Sequence, residues 1–548
     1  VLASFPHDLL DCERDLSRLL SLARSRGLGF YTLDLPDLGK HFDLCLASGR
    51  LTPAPLAGFA SDSRRTIIPR LFRGLWSRVF ERSGMLRASP DHTAIFLLRQ
   101  LFFAAKKLRM DCDEERTKAA VRDFYRIEGS LRSPSLDWLG DRFDDSAGHR
   151  LHFGDEAFGS QPCLPGLGPD RRGTPSYQLL DCIQRVADTV SGHLGWFEPS
   201  EWRTKHGPGA VSDLRGGVSK YAFPSWPDKL EAVFPYSEFA FANIGIWADS
   251  FRSVLDGQPH REVEAPSKLI AVPKTQKAPR LIASEPTAHQ WCQQAIKDFL
   301  TARISEGPLR DAISFRDQRP NQEFALRASK TQSHWTIDLS SASDCLSLWC
   351  VERLFRANRT LLEALHASRT RWLRNAIHVS DTSPELITLK KFAPMGAATT
   401  FPVQTIFYST VVVGVMLHLL DIRPSAKAIE QMCRQIRVFG DDIIVPKHAG
   451  AAVVEVLTYF GFKVNPNKTF GTGKFRESCG VDAYDGVCVT PAYFLEPYHK
   501  ARPTSVSSVV ECSNNFFAKG LWHTADWIKS TLPHWLREKL PVVATDSG

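Results

Sequence analysis

The sequence predicts a mixed α+β protein made of several subdomains. The chain has 548 residues, of which 43% are hydrophobic and 23% charged, a composition that can bury a large core. After residue 265, short β-type runs alternate with longer helical patterns: "KLIAVPK", "RLIAS" and "HWTIDLS" are separated by the helical run "PTAHQWCQQAIKDFLTARI". Such alternation is typical of helices packed on sheets.

The first 235 residues divide into a helical part and a loop-rich part. Apolar residues recur at helical spacing in 8–26, 94–109 and 115–127, which predicts three helices. From 128 to 235 the chain is rich in Gly, Pro, Ser and Asp, as in "PCLPGLGPDRRGTPS" and "KHGPGAVSDLRGG". This composition predicts long loops around short elements.

The most apolar stretch, "PVQTIFYSTVVVGVMLHLL" at 402–420, has the length of a membrane-spanning helix, about 20 residues. Four polar side chains interrupt it, so the sequence favours a buried core helix over a membrane span. These are Gln404, Ser409, Thr410 and His418.

Charge and cysteine usage exclude few functions. A net charge of +8 and a pI near 8.8 permit a nucleic-acid partner without requiring one. Twelve scattered cysteines include no C-x-x-C pair, which favours reduced thiols in a cytosolic protein over disulfides or a zinc site. Asp8, Asp11 and Glu13 lie where a signal peptide has its apolar stretch, so no export is expected.

The segment "RVFGDDIIVP" at 437–446 carries two adjacent carboxylates, Asp441 and Asp442, between two β-type runs. The pattern predicts a β-hairpin with the acids at its turn. Like charges held together repel and are costly to bury, so they require either water or a cation. A plain exposed turn is the alternative interpretation on local grounds.

A third acid arrives from another strand. Asp338 ends the apolar run "HWTID", and Asp344 follows six positions later in "DLSSASD". One strand-end acid and an acid pair at a later hairpin are typical of a two-metal nucleotidyl-transfer site. Mg²⁺ is the expected ion because it takes a few carboxylates, several waters and substrate phosphates.

A basic segment precedes these acids. "VPKTQKAPRLIASEP" places Lys274, Lys277 and Arg280 on a strand, turn and strand, with Lys268 a weaker candidate upstream. Phosphoryl transfer spreads negative charge over the transferred group, so such cations suit triphosphate binding. A solvated basic hairpin is the alternative.

In this order, "DLSSASD", "PMGAATTF", "FGDD", "GFKVNPNKTF" and "FRESCG" resemble palm motifs A to E of viral RNA-dependent RNA polymerases. They resemble the replicase catalytic (beta) subunit of the leviviruses, positive-strand RNA bacteriophages, most closely. The resemblance covers about 265–495, and "HGPGA" at 206–210 extends it weakly upstream.

The resemblance implies a right-hand polymerase of fingers, palm and thumb with an antiparallel palm sheet. It assigns 336–490 to the palm, with 371–395 as a fingers insertion, and 201–335 to the fingers. Residues 491–548 would form the C-terminal thumb, and 1–200 an N-terminal region that bridges fingers and thumb.

The resemblance also implies roles for individual residues. Asp338, Asp441 and Asp442 would bind two Mg²⁺ ions, with Mn²⁺ able to substitute, and Lys468 of motif D would protonate the leaving pyrophosphate. The basic segment resembles motif F, whose cations cover the triphosphate. Further nucleotide contacts are assigned to Asp344, Gly396 and Thr400, and RNA contacts to Arg476 and Lys268.

Three features bear on the type of polymerase. Asp344 matches the motif A acid that senses the ribose 2′-hydroxyl, and Gly440 stands where reverse transcriptases usually carry an aromatic residue. Motif B departs from S-G-x3-T-x3-N, with Met395 for Ser and Gln404 for Asn, which leaves the usual Asn contact to the sugar open. Cys479 is expected to serve packing, because nothing nearby marks an activated thiol.

The predicted function is therefore primer-independent, RNA-directed RNA synthesis from NTPs in the cytoplasm of a bacterial host. The resemblance implies RNA template and product, host elongation factors Tu and Ts as partners, and no membrane. A reverse transcriptase or a polymerase of another RNA virus lineage is the enzymatic alternative. A non-catalytic RNA-binding protein on a polymerase fold is the other, since fold does not fix function.

Overall fold

Helices alternate along the chain with sheets that are antiparallel except for the β1–β4 pair, which confirms the α+β class. The computed structural model describes residues 4–5, 9–63, 65–136, 151–155, 175–214, 219–221, 223–255 and 263–543. Most of the Gly- and Pro-rich stretch 162–176, predicted as loop, lies outside these residues.

The helices up to residue 306 include those predicted from spacing. They are α1 Leu9–Arg26, α2 Leu35–Ser48, α3 Arg73–Val79, α4 His92–Phe103, α5 Glu114–Ser130, α6 Tyr177–His193, α7 Asp228–Glu231, α8 Tyr236–Phe239, α9 Ile244–Leu255 and α10 Thr287–Glu306. A π-helical turn, Phe30–Asp34, precedes α2, and a 3₁₀ turn spans Pro199–Glu201.

The second half carries the remaining helices, which include the predicted helical C-terminus. They are α11 Arg319–Thr331, α12 Ala342–Cys345, α13 Leu348–Phe355, α14 Arg359–Ser368, α15 Thr400–Leu419, α16 Ala426–Cys433, α17 Lys447–Tyr459, α18 Thr504–Ala518, α19 Trp522–Ser530 and α20 His534–Arg537.

The strands form three sheets. The strands are β1 Ser267–Thr275, β2 Ala278–Ser284, β3 His334–Ser340, β4 Trp372–Arg374, β5 Leu386–Thr388, β6 Arg437–Phe439, β7 Asp442–Pro446, β8 Lys463–Val464, β9 Phe475–Ser478, β10 Val481–Tyr484 and β11 Val487–Cys488. The central sheet has the order β6-β7-β3-β8 and is antiparallel throughout. The others have the orders β2-β1-β4-β5 and β11-β10-β9.

Two predicted boundaries differ from the structure. The helix predicted over 94–109 ends at Phe103, and the chain beyond it pairs with the C-terminal region: Phe494 N donates to Ala104 O at 2.7 Å. The region predicted as loops contains α6, a 17-residue amphipathic helix capped by Ser176. The segments on either side of this helix are rich in glycine, so the average composition of 128–235 did not reveal it.

Helix α15 is the apolar stretch predicted as a core helix, and the structure confirms that prediction. It is long and apolar enough to cross a membrane, but 94% of its most apolar window is buried inside the protein. It packs against α6 so closely that a Cβ on Gly414 would lie 2.6 Å from the side chain of Ile183. This packing therefore fixes the position of α15, whose N-terminal end carries the last residues of motif B.

The N-terminal helices share a core with motif E. Phe30, Phe42 and Trp76 belong to a buried cluster that also contains Phe475 of β9 and Tyr484 of β10. Helices α18 to α20 have a smaller core of their own. The division into fingers, palm and thumb at the predicted boundaries stays a prediction.

A buried arginine joins these N-terminal helices to motif E. Arg99 on α4 contacts Asp43 on α2 at 2.5 Å and Asp482 on β10 at 2.6 Å, and its Nε donates to the Val489 carbonyl at 3.1 Å. Its side chain is only 3% exposed. Removing one partner of such a group leaves a buried charge uncompensated, so the three residues depend on one another.

No disulfide joins the cysteines within the described residues, as predicted. Most of them lie in the interior.

Trp335 of β3 should make Gly450 sensitive to substitution. A Cβ on Gly450 of α17 would lie 2.5 Å from the indole, so we expect Gly450→Ala to destabilise the protein by about 1–3 kcal/mol. Gly129→Ala on α5 is the matched control, because its Cβ would meet nothing within 4 Å. Denaturant unfolding measures both, and equal stability of the two variants would contradict this packing.

Candidate active site

The acid pair lies at the turn of the predicted hairpin. Phe439 pairs with Asp442, so β6 and β7 are joined by the two-residue loop Gly440–Asp441. Gly440 has φ +61°, which suits glycine at the first position of such a loop. A Cβ at this position would lie 2.9 Å from the ring of Phe401. Glycine is therefore required at position 440 for two reasons: the turn needs a positive φ, and the ring of Phe401 leaves no room for a Cβ.

Strand pairing brings Asp338 to this turn. Asp338 on β3 is directly opposite Asp442 on β7, so both side chains project from the same face of the sheet. The next pair, Ile337 with Ile443, faces the opposite side and is buried. The predicted convergence of distant acids on one sheet face is thus produced by the β3–β7 register.

Asn465 holds Asp338 in place and was not predicted. Its backbone N–H donates to the Asp338 carbonyl at 2.9 Å, and its side-chain Nδ2 donates to Asp338 Oδ2 at 2.8 Å. The run "NPNKTF" carried this residue, but an Asn beside Pro usually indicates only a turn.

Lys468 stands between two acids. Its Nζ lies 3.5 Å from Asp338 Oδ1 and donates to Glu477 Oε1 at 2.9 Å. Burial acts to lower the pKa of Lys468, but Glu477 and Asp338 raise it well above its ordinary value. Glu477, the third residue of motif E, is a further site residue that the sequence interpretation missed. It was visible only as the acid in "FRESCG".

The acids repel one another. Burial first, and then Asp441, raises the pKa of Asp442 to about 7, with Asp338 and Glu477 acting in the same direction. Burial also raises the pKa of Asp338, although Lys468 opposes it. A cluster with these pKa shifts is stabilised by additional positive charge.

The donor set suits a hard divalent ion, since carboxylate oxygens are the ligands that Mg²⁺ prefers. In the described part of the chain, no group of three His, Cys, Asp or Glu side chains is close enough to form a ready-made ion site. The carboxylates that could share one are Asp338, Asp441 and Asp442.

The motif E turn supports Asp442 through its backbone. Cys479 and Gly480 connect β9 and β10 with φ values of +47° and +76°, the conformation of a two-residue type I′ loop. The Cys479 backbone hydrogen-bonds the Asp442 carboxylate, which acts to lower the pKa of that acid. Burial raises the pKa of the Cys479 thiol, which agrees with the expected absence of an activated thiol.

The basic hairpin contributes two cations to this region. Partial burial, Arg280 and Lys468 lower the pKa of Lys274, while Asp441 and Asp338 raise it. Lys274 is therefore within electrostatic reach of Asp441 and Asp338. Arg280 is exposed on β2, and its positive charge is close enough to that of Lys274 to lower the lysine pKa.

The other two basic candidates lie elsewhere. Lys277, at the hairpin tip, faces Asp37 of α2 at 3.6 Å, and Arg116 Nη1 donates to the neighbouring Gln276 carbonyl at 2.8 Å. Lys268 is exposed six residues before Lys274 on β1, about 20 Å along an extended strand. It is too far from Lys274 for both to contact one triphosphate.

Two motif B residues have structural tasks. Gly396 has φ +129°, and a Cβ there would lie 2.0 Å from the Ala283 carbonyl, so the close approach it permits is to β2. Thr400 is 4% exposed, and its hydroxyl donates to the Pro394 carbonyl at 2.9 Å. Gly396 is nevertheless exposed, and the contacts of these two residues with the nucleotide stay predictions.

The prediction that Arg476 contacts RNA does not fit its position. The side chain is fully buried, and its Nε donates to the His334 carbonyl at 2.7 Å. Its Nη1 donates to carbonyls of residues 472, 473 and 475. The arginine instead joins motif E to the start of β3.

Asp344 lies on α12, just beyond β3. Its Oδ1 accepts a hydrogen bond from Lys391 Nζ at 3.0 Å. The neighbouring Ser343 hydroxyl donates to Gln404 Oε1 at 2.9 Å, and the next motif B residue, Thr405, accepts from Gly440 N at 3.1 Å. Motif A and motif B are thereby connected to the acid turn.

Comparisons with known proteins identify the family of the chain. A family model described as RNA replicase, beta-chain, matches residues 232–515, more than half of the chain. The RNA-directed RNA polymerase subunit beta of Escherichia virus Qbeta is 33% identical over 269 residues, 49% of this chain and 40% of that protein. The beta chain of Escherichia phage MS2 is 32% identical over 230 residues, 42% of this chain and 38% of that protein.

The subunit beta of Enterobacteria phage SP is 31% identical over 280 residues, 50% of this chain and 44% of that protein. These matches confirm the levivirus resemblance predicted from the motifs. The aligned segments span less than half the length of these relatives.

Asp442→Asn should stabilise the protein in the absence of divalent ions. The folded pKa of Asp442, about 7, lies above the ordinary value of 3.8, so its ionisation destabilises the fold as pH rises between these values. We expect the variant to melt about 1–3 °C higher at pH 8, with the difference shrinking as pH falls towards 4.

Thermal unfolding with and without Mg²⁺ measures this effect. Mg²⁺ should raise the melting temperature of the wild type more than that of Asp442→Asn. A variant less stable than wild type at pH 8 without metal would contradict the repulsion described above.

Proposed function

The chain belongs to the RNA replicase beta-chain family, and we propose on this basis that it is an RNA-directed RNA polymerase replicating a positive-strand RNA phage genome. The observation that carries the proposal is the β3–β7 register, which places Asp338 opposite Asp442 beside the Asp441 turn. Lys468 and Lys274 add positive charge at the same place. Carboxylates and cations so arranged suit nucleotidyl transfer.

The three aspartates would hold the metal. Asp338 and Asp441 would be shared between two ions, with Asp442 assisting from β7 and oriented by the Cys479 backbone. When bound, two Mg²⁺ ions, or Mn²⁺ in their place, supply a more acidic 3′-hydroxyl and neutralise charge on the triphosphate. Asn465 keeps the Asp338 carboxylate oriented through the hydrogen bond to Oδ2.

The cations would bind and protonate the phosphates. The 3′-hydroxyl gives its proton to water, and its oxygen forms a bond to the α-phosphorus while the bond from that phosphorus to the pyrophosphate oxygen breaks. Lys274 and Arg280 are suited to bind the triphosphate, because both lie on the hairpin strands and Lys274 is near the acids. Lys468 is the candidate proton donor to the leaving pyrophosphate, because Glu477 keeps it charged and oriented beside Asp338. Since Glu477 and Asp338 also raise its pKa, the lysine gives up its proton only when the pyrophosphate draws it away from these two carboxylates.

Asp344 and Gly440 support ribonucleotides as substrates. Asp344 is a partly exposed acid one residue from Ser343, which bonds to motif B, and Gly440 leaves no room for an aromatic side chain beside Phe401. A reverse transcriptase is therefore the less favoured enzyme. Incorporation of NTPs or dNTPs on one RNA template separates the two.

The right-hand arrangement belongs to the same proposal. The central sheet would be the palm, the β1–β2 hairpin part of the fingers, and α18 to α20 the thumb. Contacts of the hairpin tip with Asp37 and Arg116 support an N-terminal region attached to the fingers.

The cellular setting is proposed from the relatives, which are phage proteins. The enzyme would work in the cytoplasm of a bacterial host, begin without a primer, and recruit host elongation factors Tu and Ts. RNA synthesis on a structured, primer-free RNA template, with and without bacterial lysate, tests these points together. Synthesis that needs a primer in both conditions would contradict primer independence.

Asp441→Asn should abolish synthesis. Removing one carboxylate from the acid turn weakens metal binding and charge stabilisation, so we expect nucleotide incorporation to fall by at least about 100-fold. Asp485→Asn is the control, because Asp485 pairs with Lys474 in another turn. Incorporation of labelled NTP measures both. An active Asp441→Asn enzyme would favour a different mechanism, and a wild type that is inactive even with bacterial lysate would favour a non-catalytic RNA-binding protein.

Lys468→Met should slow the chemical step. Loss of a general acid lowers the rate by about 10²- to 10⁴-fold, and we expect the change in kcat with little change in KM for NTP. Lys468→Arg keeps the charge and should keep Glu477 paired but donate a proton poorly. Rapid-quench measurement of single-nucleotide addition distinguishes the variants. An equal loss of NTP binding would instead indicate a purely electrostatic role.

A further inference from the structure

Lys391 is a fully buried cation beside Asp344, the second acid of motif A. Its Nζ donates to Asp344 Oδ1 at 3.0 Å and lies 3.4 Å from Glu128 Oε2 of α5. The ammonium also lies 3.5 Å from the centroid of the Phe124 ring. The side chain is 0% exposed. A buried lysine is costly unless it is paired, so these partners must stay in place together.

The backbone around Lys391 is fixed from two sides. Glu128 Oε1 accepts hydrogen bonds from the backbone N–H groups of Lys390 and Lys391. The guanidinium of the buried Arg369 donates to the carbonyls of Leu389, Lys391 and Phe392. The ammonium therefore has one position, set by α5 and by the chain after α14.

This segment also runs beside the chain that follows Asp344. Phe392 N donates to the Leu346 carbonyl at 2.8 Å, and Leu348 N donates to the Lys390 carbonyl at 2.9 Å. Asp344 and Lys391 are thus held by adjacent backbones as well as by their own side-chain bond. Movement of one carries the other.

Asp344 keeps one oxygen for another partner. Its side chain is 16% exposed, and within the described residues only Oδ1 accepts a protein hydrogen bond. Gln404, which stands where motif B usually has Asn, accepts a hydrogen bond from the Ser343 hydroxyl through its Oε1. Lys391, and not a motif B amide, is therefore the group that orients Asp344.

We propose that Lys391 determines the selectivity for ribonucleotides by positioning Asp344 to accept the 2′-hydroxyl of the incoming NTP. The inference rests on the proposed function. A dNTP lacks this hydroxyl, so it leaves the oriented carboxylate without its partner, and such a mismatch discriminates strongly. Lys391 is a positioning residue, because it acts on the sugar through Asp344.

The test compares NTP and dNTP use by the full chain on one RNA template. Lys391→Met alone would leave Glu128 buried and unpaired, so the main variant is Lys391→Met with Glu128→Gln. The amide oxygen that Glu128→Gln introduces can still accept the two backbone N–H bonds. Lys390→Met is the matched control, since it removes a charge from the adjacent residue while leaving Lys391 paired. Circular dichroism and thermal unfolding establish that each variant is folded.

We expect the double variant to lower the ratio of kcat/KM for ATP over dATP by about 10- to 100-fold, mainly through ATP. Lys390→Met should keep the wild-type ratio, and Glu128→Gln alone should also keep it because Lys391 still holds Asp344. In an Asp344→Asn background, the double variant should change the ratio no further.

Three outcomes would overturn the inference. The first is a folded double variant with the wild-type ratio, and the second is a parallel fall in kcat/KM for ATP and dATP, which marks a merely structural lysine. The third is a lost ratio in Glu128→Gln, which remains measurable if the double variant fails to fold and would assign selectivity to α5. Failure of the proposed function would appear as a wild type that makes no RNA. RNA synthesis by the wild type therefore distinguishes these three outcomes from that failure.

Discussion

Electrostatic repulsion within one sheet face is the constraint on which the site depends. The antiparallel register of β3 and β7 fixes Asp338 opposite Asp442, and the two-residue turn adds Asp441 next to them. Neither strand can slip by one residue without turning its acids away from this face and its isoleucines into it. The register that builds the hydrophobic core therefore also forces the carboxylates together.

The surrounding residues can be understood as responses to this charge. Lys468 and Asn465 act on Asp338, the Cys479 backbone acts on Asp442, and Lys274 approaches from the opposite hairpin. These groups come from separate parts of the chain. Each of these groups interacts with part of the carboxylate cluster and leaves other carboxylate oxygens able to bind a cation. Phosphoryl transfer requires such an arrangement.

The sequence predicted the elements that carry strong local patterns. The acid hairpin, β3, the basic hairpin and α15 were all predicted, because their apolar runs and turn residues are contiguous. Among the site residues, Asp338, Asp441, Asp442, Lys468 and Lys274 were predicted and lie near one another.

The residues that were missed or misassigned depend on contacts between distant segments. Glu477 and Lys391 matter only because of partners 9 and 47 positions away, and no periodicity reports such pairs. Arg476 and Thr400 fit family motifs, yet the fold uses them to bind backbone carbonyls. A motif gives the identity of a side chain, whereas its direction depends on the strand or helix that buries it.

The ion triad around Arg99 has a consequence for the order in which the protein is made. Translation delivers Asp43 and Arg99 early, but Asp482 leaves the ribosome almost 400 residues later. Until then the arginine lacks one of its two carboxylates, and the N-terminal helices lack the motif E hairpin that packs on them and supports Asp442. A growing chain would thus stay inert towards nucleotides until Asp482 and its hairpin have been made, and termination before that point would release no active fragment.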